Sequence, residues 1–315
     1  MTIDLTSATP APATAPARAN DPRQAALLAV FGMVVLSFID GFVPVIARDV
    51  GLWQFHATRS AMVLACLLPA AVVLGWRVRP VSIGAVAVRS CLVAGSMLLY
   101  FAAVAVLPLA QVAAGLLTAP IFVLLISWGF FGAQIGPWRV LAVILGFGGV
   151  LLVLRPGGEG VSVLTFVPVG AGALYATAAV ATRQYCASES EVTLVAGFFG
   201  AIGLCGVAGL AVLSGSDSPP AIDGFFASGW QPWTGPALFW TAAQALVSMI
   251  GIGALFRAYL LAEASHVAVF EYTFLIAAGV WGYVLWGQVP DALAVLGMVA
   301  IMAAGVVIIK RSGAA

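Results

Sequence analysis

Polar residues in this 315-residue chain form short interruptions between long apolar blocks. A stretch of Ala, Thr, Pro and polar residues (1–24) comes first. Ten blocks follow: 25–47, 56–76, 87–106, 109–131, 138–154, 164–183, 192–213, 236–260, 266–286 and 291–309. Each is about twenty residues long, enough for a helix to cross ~30 Å of hydrocarbon. The blocks are continuous, whereas the strands of a membrane barrel would be short and alternating. The pattern therefore predicts an all-α polytopic membrane protein with ten transmembrane helices. Residues 1–24 read as a disordered tail. They do not read as a signal peptide, because the block after them is too long and lacks a clear A-x-A site.

Composition agrees. Hydrophobic residues make up 63% and charged residues 8%, where a soluble domain has about a quarter charged. So few charges cannot wet the surface of a globule this size, and the bilayer must be the solvent. A net charge of +1 gives no sign of a nucleic-acid partner. Lys310 is the one lysine, which excludes a phosphate loop ending Gly-Lys-Ser/Thr. Cys66, Cys91, Cys186 and Cys205 form no CxxC pair. The three in apolar runs (Cys66, Cys91, Cys205) read as small core residues. His56 and His266 are the only histidines, and no HExxH occurs, so neither metal nor cofactor is expected.

The Lys and Arg side chains set an orientation. With the N-terminus inside, all 13 fall on the cytoplasmic side except Arg48, Arg59 and Arg155. Both termini are then expected in the cytoplasm. The longest outer loop is 214–235, whose Trp230 and Trp233 read as an interfacial belt rather than a lid.

The chain also repeats itself. A shift of 155 residues lays 101–121 on 256–276, matching Phe101, Ala103, Val112, Ala113, Thr118 and Ile121 to identical residues. Gln134 falls near Gln288, and 149–155 lies on 305–311 at a shift of 156. Five crossings per half is odd, so the second half enters from the opposite side. The reading is two inverted five-helix repeats, 25–155 and 164–311, as in many secondary transporters. The seventh block carries Gly197, Gly200, Gly203, Gly206 and Gly209, which read as close-packing positions ahead of a flexible wall.

These features resemble the EamA-type branch of the drug/metabolite transporter superfamily over residues 25–311. The resemblance rests on the turn Ala105–Ala110 around Pro108, on Pro120, and on Gly146, Gly148 and Gly149. In the second half it rests on Glu263–Ser265, Gly297 and Gly305. The family often has a Gly-Glu pair before the last helix of each half. Here Gly287-Gln288 and Ala133-Gln134 stand there, and Leu275 stands where a counterpart of Pro120 would be. Roles tied to those acidic positions do not carry over. The resemblance implies a small organic metabolite as substrate.

Charges inside apolar helices are expensive and mark candidate sites. Glu271 is followed by Tyr272 and Thr273, and reads as a substrate contact or a proton-coupling group, or as a structural partner of Arg257 at similar depth. Asp40 and Arg59 could pair toward the outer side, and Arg59 is near enough to the interface to snorkel. Asp40, Arg59, Arg257 and Glu271 are thus the gating or coupling candidates. Candidate substrate-binding residues are Glu271, Tyr272, Phe274, Gln244, Ser248, Gln111, Tyr100 and Tyr175. The buried amides Gln111 and Gln244 carry the most weight among the polar lining, because a cavity or a polar solute would supply their partners. Pro120 should kink the fourth helix near the midplane.

The expected activity is alternating access in a bacterial inner membrane, with no covalent step. The substrate is a small polar or amphipathic metabolite, amino-acid-like or similar, with export placed ahead of import of a vitamin- or cofactor-like molecule. Protons at Glu271 or Asp40, or simple facilitated diffusion, could drive it. A lipid-modifying membrane enzyme is the remote alternative. Monomer and homodimer both remain open.

Overall fold

The computed structural model describes residues 21–107, 109–132, 136–154, 163–214, 224–287, 289 and 291–312. Readings on Arg18, Pro108, Ala133, Gln134, Arg155 and Gln288 lie outside those residues. So do the side chains of Gln111, Arg139, Lys310 and Arg311. The described residues are helical with no strand. The helices are α1 (Pro22–Asp40), α2 (Val43–Ile46), α3 (Leu52–Val73), α4 (Ile83–Val106), α5 (Leu109–Leu116), α6 (Ala119–Phe131) and α7 (Pro137–Leu154). Then come α8 (Val167–Tyr185), α9 (Glu191–Val212), α10 (Gly235–Leu261), α11 (Ala264–Phe270), α12 (Thr273–Trp286) and α13 (Ala292–Ser312).

Every apolar block lies on helix, and three blocks are broken. The first splits into α1 and α2 at Gly41–Phe42, the fourth into α5 and α6, and the ninth into α11 and α12. Among the described residues, seven helical stretches are long and apolar enough to cross a membrane. By that measure ten crossings are not reached: the apolar parts of α7 and α13 are short, Val140–Val153 and Ala292–Ala304. The shortfall also includes α8, which carries Thr177, Thr182 and Arg183 among its alanines.

Hydrogen bonds sort the connections to two ends. At one end Asp21 N–H donates to the Leu261 carbonyl and Arg183 to that of Leu260 (2.9 Å). There the buried Glu189 carboxylate accepts from Val81 N–H and Ser82 N–H, both at 2.8 Å, capping α4. At the other end Thr234, the N-cap of α10, donates to Asp49, and Leu52 N–H donates to the Phe225 carbonyl. Each end thus holds an acidic loop residue fastened to the start of a distant helix. The Glu189 bonds satisfy backbone amides at the start of α4, whereas Asp49 accepts from the side-chain hydroxyl of the α10 cap.

The most extensive pairings are α7 with α13, α1 with α10, α3 with α9 and α4 with α8. Lipid is as apolar as leucine, so close packing rather than water exclusion must hold helices together. Small residues allow it. A Cβ on Gly149 would lie 2.6 Å from the Gly297 carbonyl oxygen, and the reverse distance is also 2.6 Å. Gly206 and Gly209 of α9 lie against Trp53 of α3, and Gly203 against Ser60, which is the close-packing role.

Some expectations need correcting. The helix begins at Pro22, capped by Asp21, inside the predicted tail. Cys66 and Cys91 are exposed rather than core, since an outward face meeting lipid is as apolar as the interior. Pro120 does not kink a continuous helix. It sits in the first turn of α6, just after a full break at Leu117–Thr118.

Candidate functional site

Among the described residues, two acidic residues buried between the helices stand at helix breaks. Asp40 is the last residue of α1, and Glu271 lies between α11 and α12. Both are nearly inaccessible, at 6% and 3% exposed. Each must find donors inside the protein, since an unpaired buried charge is strongly unfavourable.

Asp40 has a mixed cluster. Gln244 Nε2 donates to its Oδ1 at 2.7 Å, and Tyr100 OH to its Oδ2 at 3.1 Å. Gln244 also accepts from Arg59 Nη1 at 3.3 Å. The amide therefore bridges cation and anion, and the direct Asp40–Arg59 pair expected from sequence is replaced by a relay. Arg59 does not snorkel either. It is 1% exposed, with its guanidinium among the rings of Phe55, Phe101 and Phe199.

Glu271 has phenols instead. Tyr259 OH donates to Oε1 at 2.6 Å, and Tyr175 OH donates to the same oxygen at 2.9 Å. The carboxylate also precedes the N-cap of α12, where the helix dipole favours negative charge. Arg257 is not its partner. That side chain is exposed and pairs with Glu191 at 3.5 Å. Depth in a hairpin fixes how far along a helix a residue lies, not which way it points. Arg257 is nine residues from Ser248, half a turn round α10, so it faces outward while Ser248 faces in.

One central cavity, of about 80 Å³, touches both clusters. Asp40, Arg59, Tyr100, Tyr175, Ser248, Glu271 and Phe274 all line it, with an otherwise apolar wall that includes Met33, Met97 and Phe198. A second space of about 470 Å³ lies toward the end carrying Arg48, between the C-terminal end of α1 and the length of α12. Gly41 borders it next to Asp40, and Leu275 next to Phe274. Its wall includes Trp281, whose indole N–H donates to the Val34 carbonyl at 3.3 Å.

The profile of the EamA-like transporter family matches residues 23–155. The pseudopaline exporter CntI of Pseudomonas aeruginosa is 30% identical over 225 residues, 69% of this chain and 72% of that protein. The chain belongs to the EamA-like transporter family. A riboflavin transporter of Rhizobium johnstonii is 25% identical over 212 residues, 67% of this chain and 65% of that one. A solved crystal structure shares the fold of this EamA-like transporter at a TM-score of 0.71 and 16% identity, covering 93% of this chain and 99% of that chain. With its many long apolar helices, the EamA-like transporter is a multipass membrane protein.

Besides Arg257, two predicted residues of the transporter lie off the cavity. Tyr272 is buried, but its hydroxyl is turned toward α7, where a Cβ on Gly146 would come within 3.1 Å. Gln244 is fully buried behind the wall and acts through Asp40 and Arg59. Tyr259 is the residue that sequence reasoning missed. The signal was present: Gln244, Ser248, Leu255 and Tyr259 fall on one face of α10 at helical spacing.

Proposed function

We propose that this chain is a secondary transporter that moves a small polar or amphipathic organic metabolite by alternating access, in the direction of export. In this reading ten helices cross a bacterial inner membrane as two inverted five-helix repeats, 25–155 and 164–311, with both termini cytoplasmic. The chemistry is binding and release, without a covalent step.

The observation that carries it is the shared cavity. Helices from both halves bring two carboxylates, a guanidinium and two phenols to one apolar space. Buried polar groups of this kind in a bilayer interior mark a candidate solute path, and broken helices are where transporters place such sites. The pairing pattern supports the repeat. Exchanging the halves turns the α1–α10 pair into the α4–α8 pair, and leaves α3–α9 and α7–α13 unchanged. The central space is well below the ~300 Å³ of a ligand site, and the space toward Arg48 is above it. That contrast fits a conformation with the centre constricted and one vestibule formed.

Export follows the pseudopaline exporter, and the riboflavin transporters favour a second reading, uptake of a cofactor-like molecule. Glu271 is the coupling residue in both. The test is proteoliposome flux of riboflavin and of L-amino acids that stabilise the purified protein. Glu271→Gln should fold and insert, yet lose flux or its dependence on a proton gradient. Wild-type flux with unchanged gradient dependence in that variant would sink the coupling role.

A further inference from the structure

Two arginines are buried to the same degree, 1% exposed each, and differ in what their N–H groups meet. Arg89 donates Nε to Thr182 Oγ1 at 3.0 Å and Nη1 to the Leu194 carbonyl at 3.1 Å. Its guanidinium lies over the Phe256 ring, 3.7 Å from the centroid. Arg59 makes a single bond, from Nη1 to Gln244. Its Nε and Nη2 are buried and have no partner among the described residues.

Those two leftover groups matter because of their geometry. Nε–H and Nη2–H of a guanidinium point the same way, at a spacing that matches the two oxygens of a carboxylate. Asp40 does not fill that role, since its oxygens accept from Gln244 and Tyr100. Three rings at 5.1, 5.1 and 5.4 Å from Cζ hold the guanidinium in place. Leaving two charged donors unbonded in a buried site is unfavourable, and Arg59 lines the central cavity. Arg89 finds protein acceptors for Nε and Nη1, whereas Nε and Nη2 of Arg59 find none among the described residues.

We infer that the transported molecule carries a carboxylate, which docks side-on on Nε and Nη2 of Arg59. Its apolar body lies against Met97, Phe101 and Phe198 in the same wall. Asp40 and Glu271 in that wall disfavour a dianion, so a singly charged carboxylate fits better than a phosphate monoester. This inference rests on the reading of the cavity as the transport site. It also moves Arg59 from gate to ligand anchor.

The test uses matched probes on the full-length protein in detergent, read by thermal shift and calorimetry. L-phenylalanine and N-acetyl-L-phenylalanine carry a carboxylate, L-phenylalaninamide lacks it, and phenyl phosphate offers the alternative oxyanion. The carboxylates should stabilise wild type and bind at least about tenfold more tightly than the amide. Arg59→Lys keeps the charge and loses the fork, so it should weaken carboxylate binding by about tenfold. Arg59→Gln should erase the preference over the amide. If Arg59→Gln does not fold, the wild-type series and Arg59→Lys decide the matter. Equal binding of carboxylate and amide, no carboxylate response in wild type, or tighter binding of phenyl phosphate overturns the inference. Riboflavin has no carboxylate, so riboflavin flux that survives Arg59→Gln would leave the transporter reading intact and remove this one. Carboxylate-selective binding without flux of any bound probe would do the reverse.

Discussion

The fourth and ninth apolar blocks lie 155 residues apart and invite direct comparison. Each is a short helix, a break and a longer helix: α5 and α6 in one, α11 and α12 in the other. The longer helices end alike, at Gly132 (φ 63°) and Gly287 (φ 64°), which are also 155 apart. Leu116 and Glu271 occupy matching positions at the breaks, and both line the central cavity. The backbone frame is shared, and the carboxylate belongs to one copy only. A break that persists with or without the charge is a feature of the frame. The charge, with its two tyrosines, is an addition to it, which is why the ninth block holds the coupling residue in our reading.

The largest effect should come from copying the charge into the other block. Leu116→Glu places a carboxylate in the same cavity, but Tyr175 and Tyr259 already serve Glu271. An unpaired buried charge should cost on the order of 3–5 kcal/mol, read as a large drop in thermal midpoint. A variant as stable as wild type would mean that the Leu116 position is well hydrated. Next come the donors on the charged side. Tyr259→Phe and Tyr175→Phe should each lose about 1–2 kcal/mol. Because both phenols bond one oxygen, each single variant is partly offset by the remaining donor, and the double variant, which leaves the carboxylate without either, should lose more than the sum of the two. Strict additivity in a double-mutant cycle would show that the bonds act independently.

Much of the helical frame was legible in the sequence, because helix follows from long apolar blocks. Apolar blocks long enough to span lipid are helices, but the sequence predicts a kink at Pro120 rather than the breaks at Leu117–Thr118 and Glu271–Tyr272. Azimuth was less legible. Arg257 and Glu271 were placed at equal depth, yet the face through Gln244, Ser248 and Tyr259 already put Arg257 on the far side. Arg59 read as a snorkelling residue from its place near a block end. What holds it inside is the aromatic cage of Phe55, Phe101 and Phe199, assembled from three helices that no local pattern connects. The role of Arg89 was equally hidden, since its acceptors lie on α8 and α9.

The glycines give a smaller and symmetric test. Gly132 and Gly287 both adopt positive φ, and neither would meet another atom within 4 Å if given a Cβ. Gly132→Ala and Gly287→Ala should therefore pay only the left-handed backbone penalty, about 1 kcal/mol each. Unequal losses in thermal midpoint would show that the two helix ends are not equivalent.

The smallest effect should come from exchanging the residues that differ just after the breaks. Pro120 sits in the first turn of α6, where a missing N–H is harmless because that turn has no intrahelical acceptor. Leu275 occupies the matching place in α12, and its N–H donates to the Tyr272 carbonyl at 3.1 Å. Leu275→Pro removes that one bond. Pro120→Leu adds an N–H that can make the equivalent bond to the Leu117 carbonyl. Each change should alter stability by no more than about 1 kcal/mol. If proline created the break, Pro120→Leu would instead let α5 run into α6, and amides around Leu117 and Thr118 would gain hydrogen-exchange protection. We expect no such gain, because the second copy breaks within one residue of the matching position with Leu275 in place of the proline.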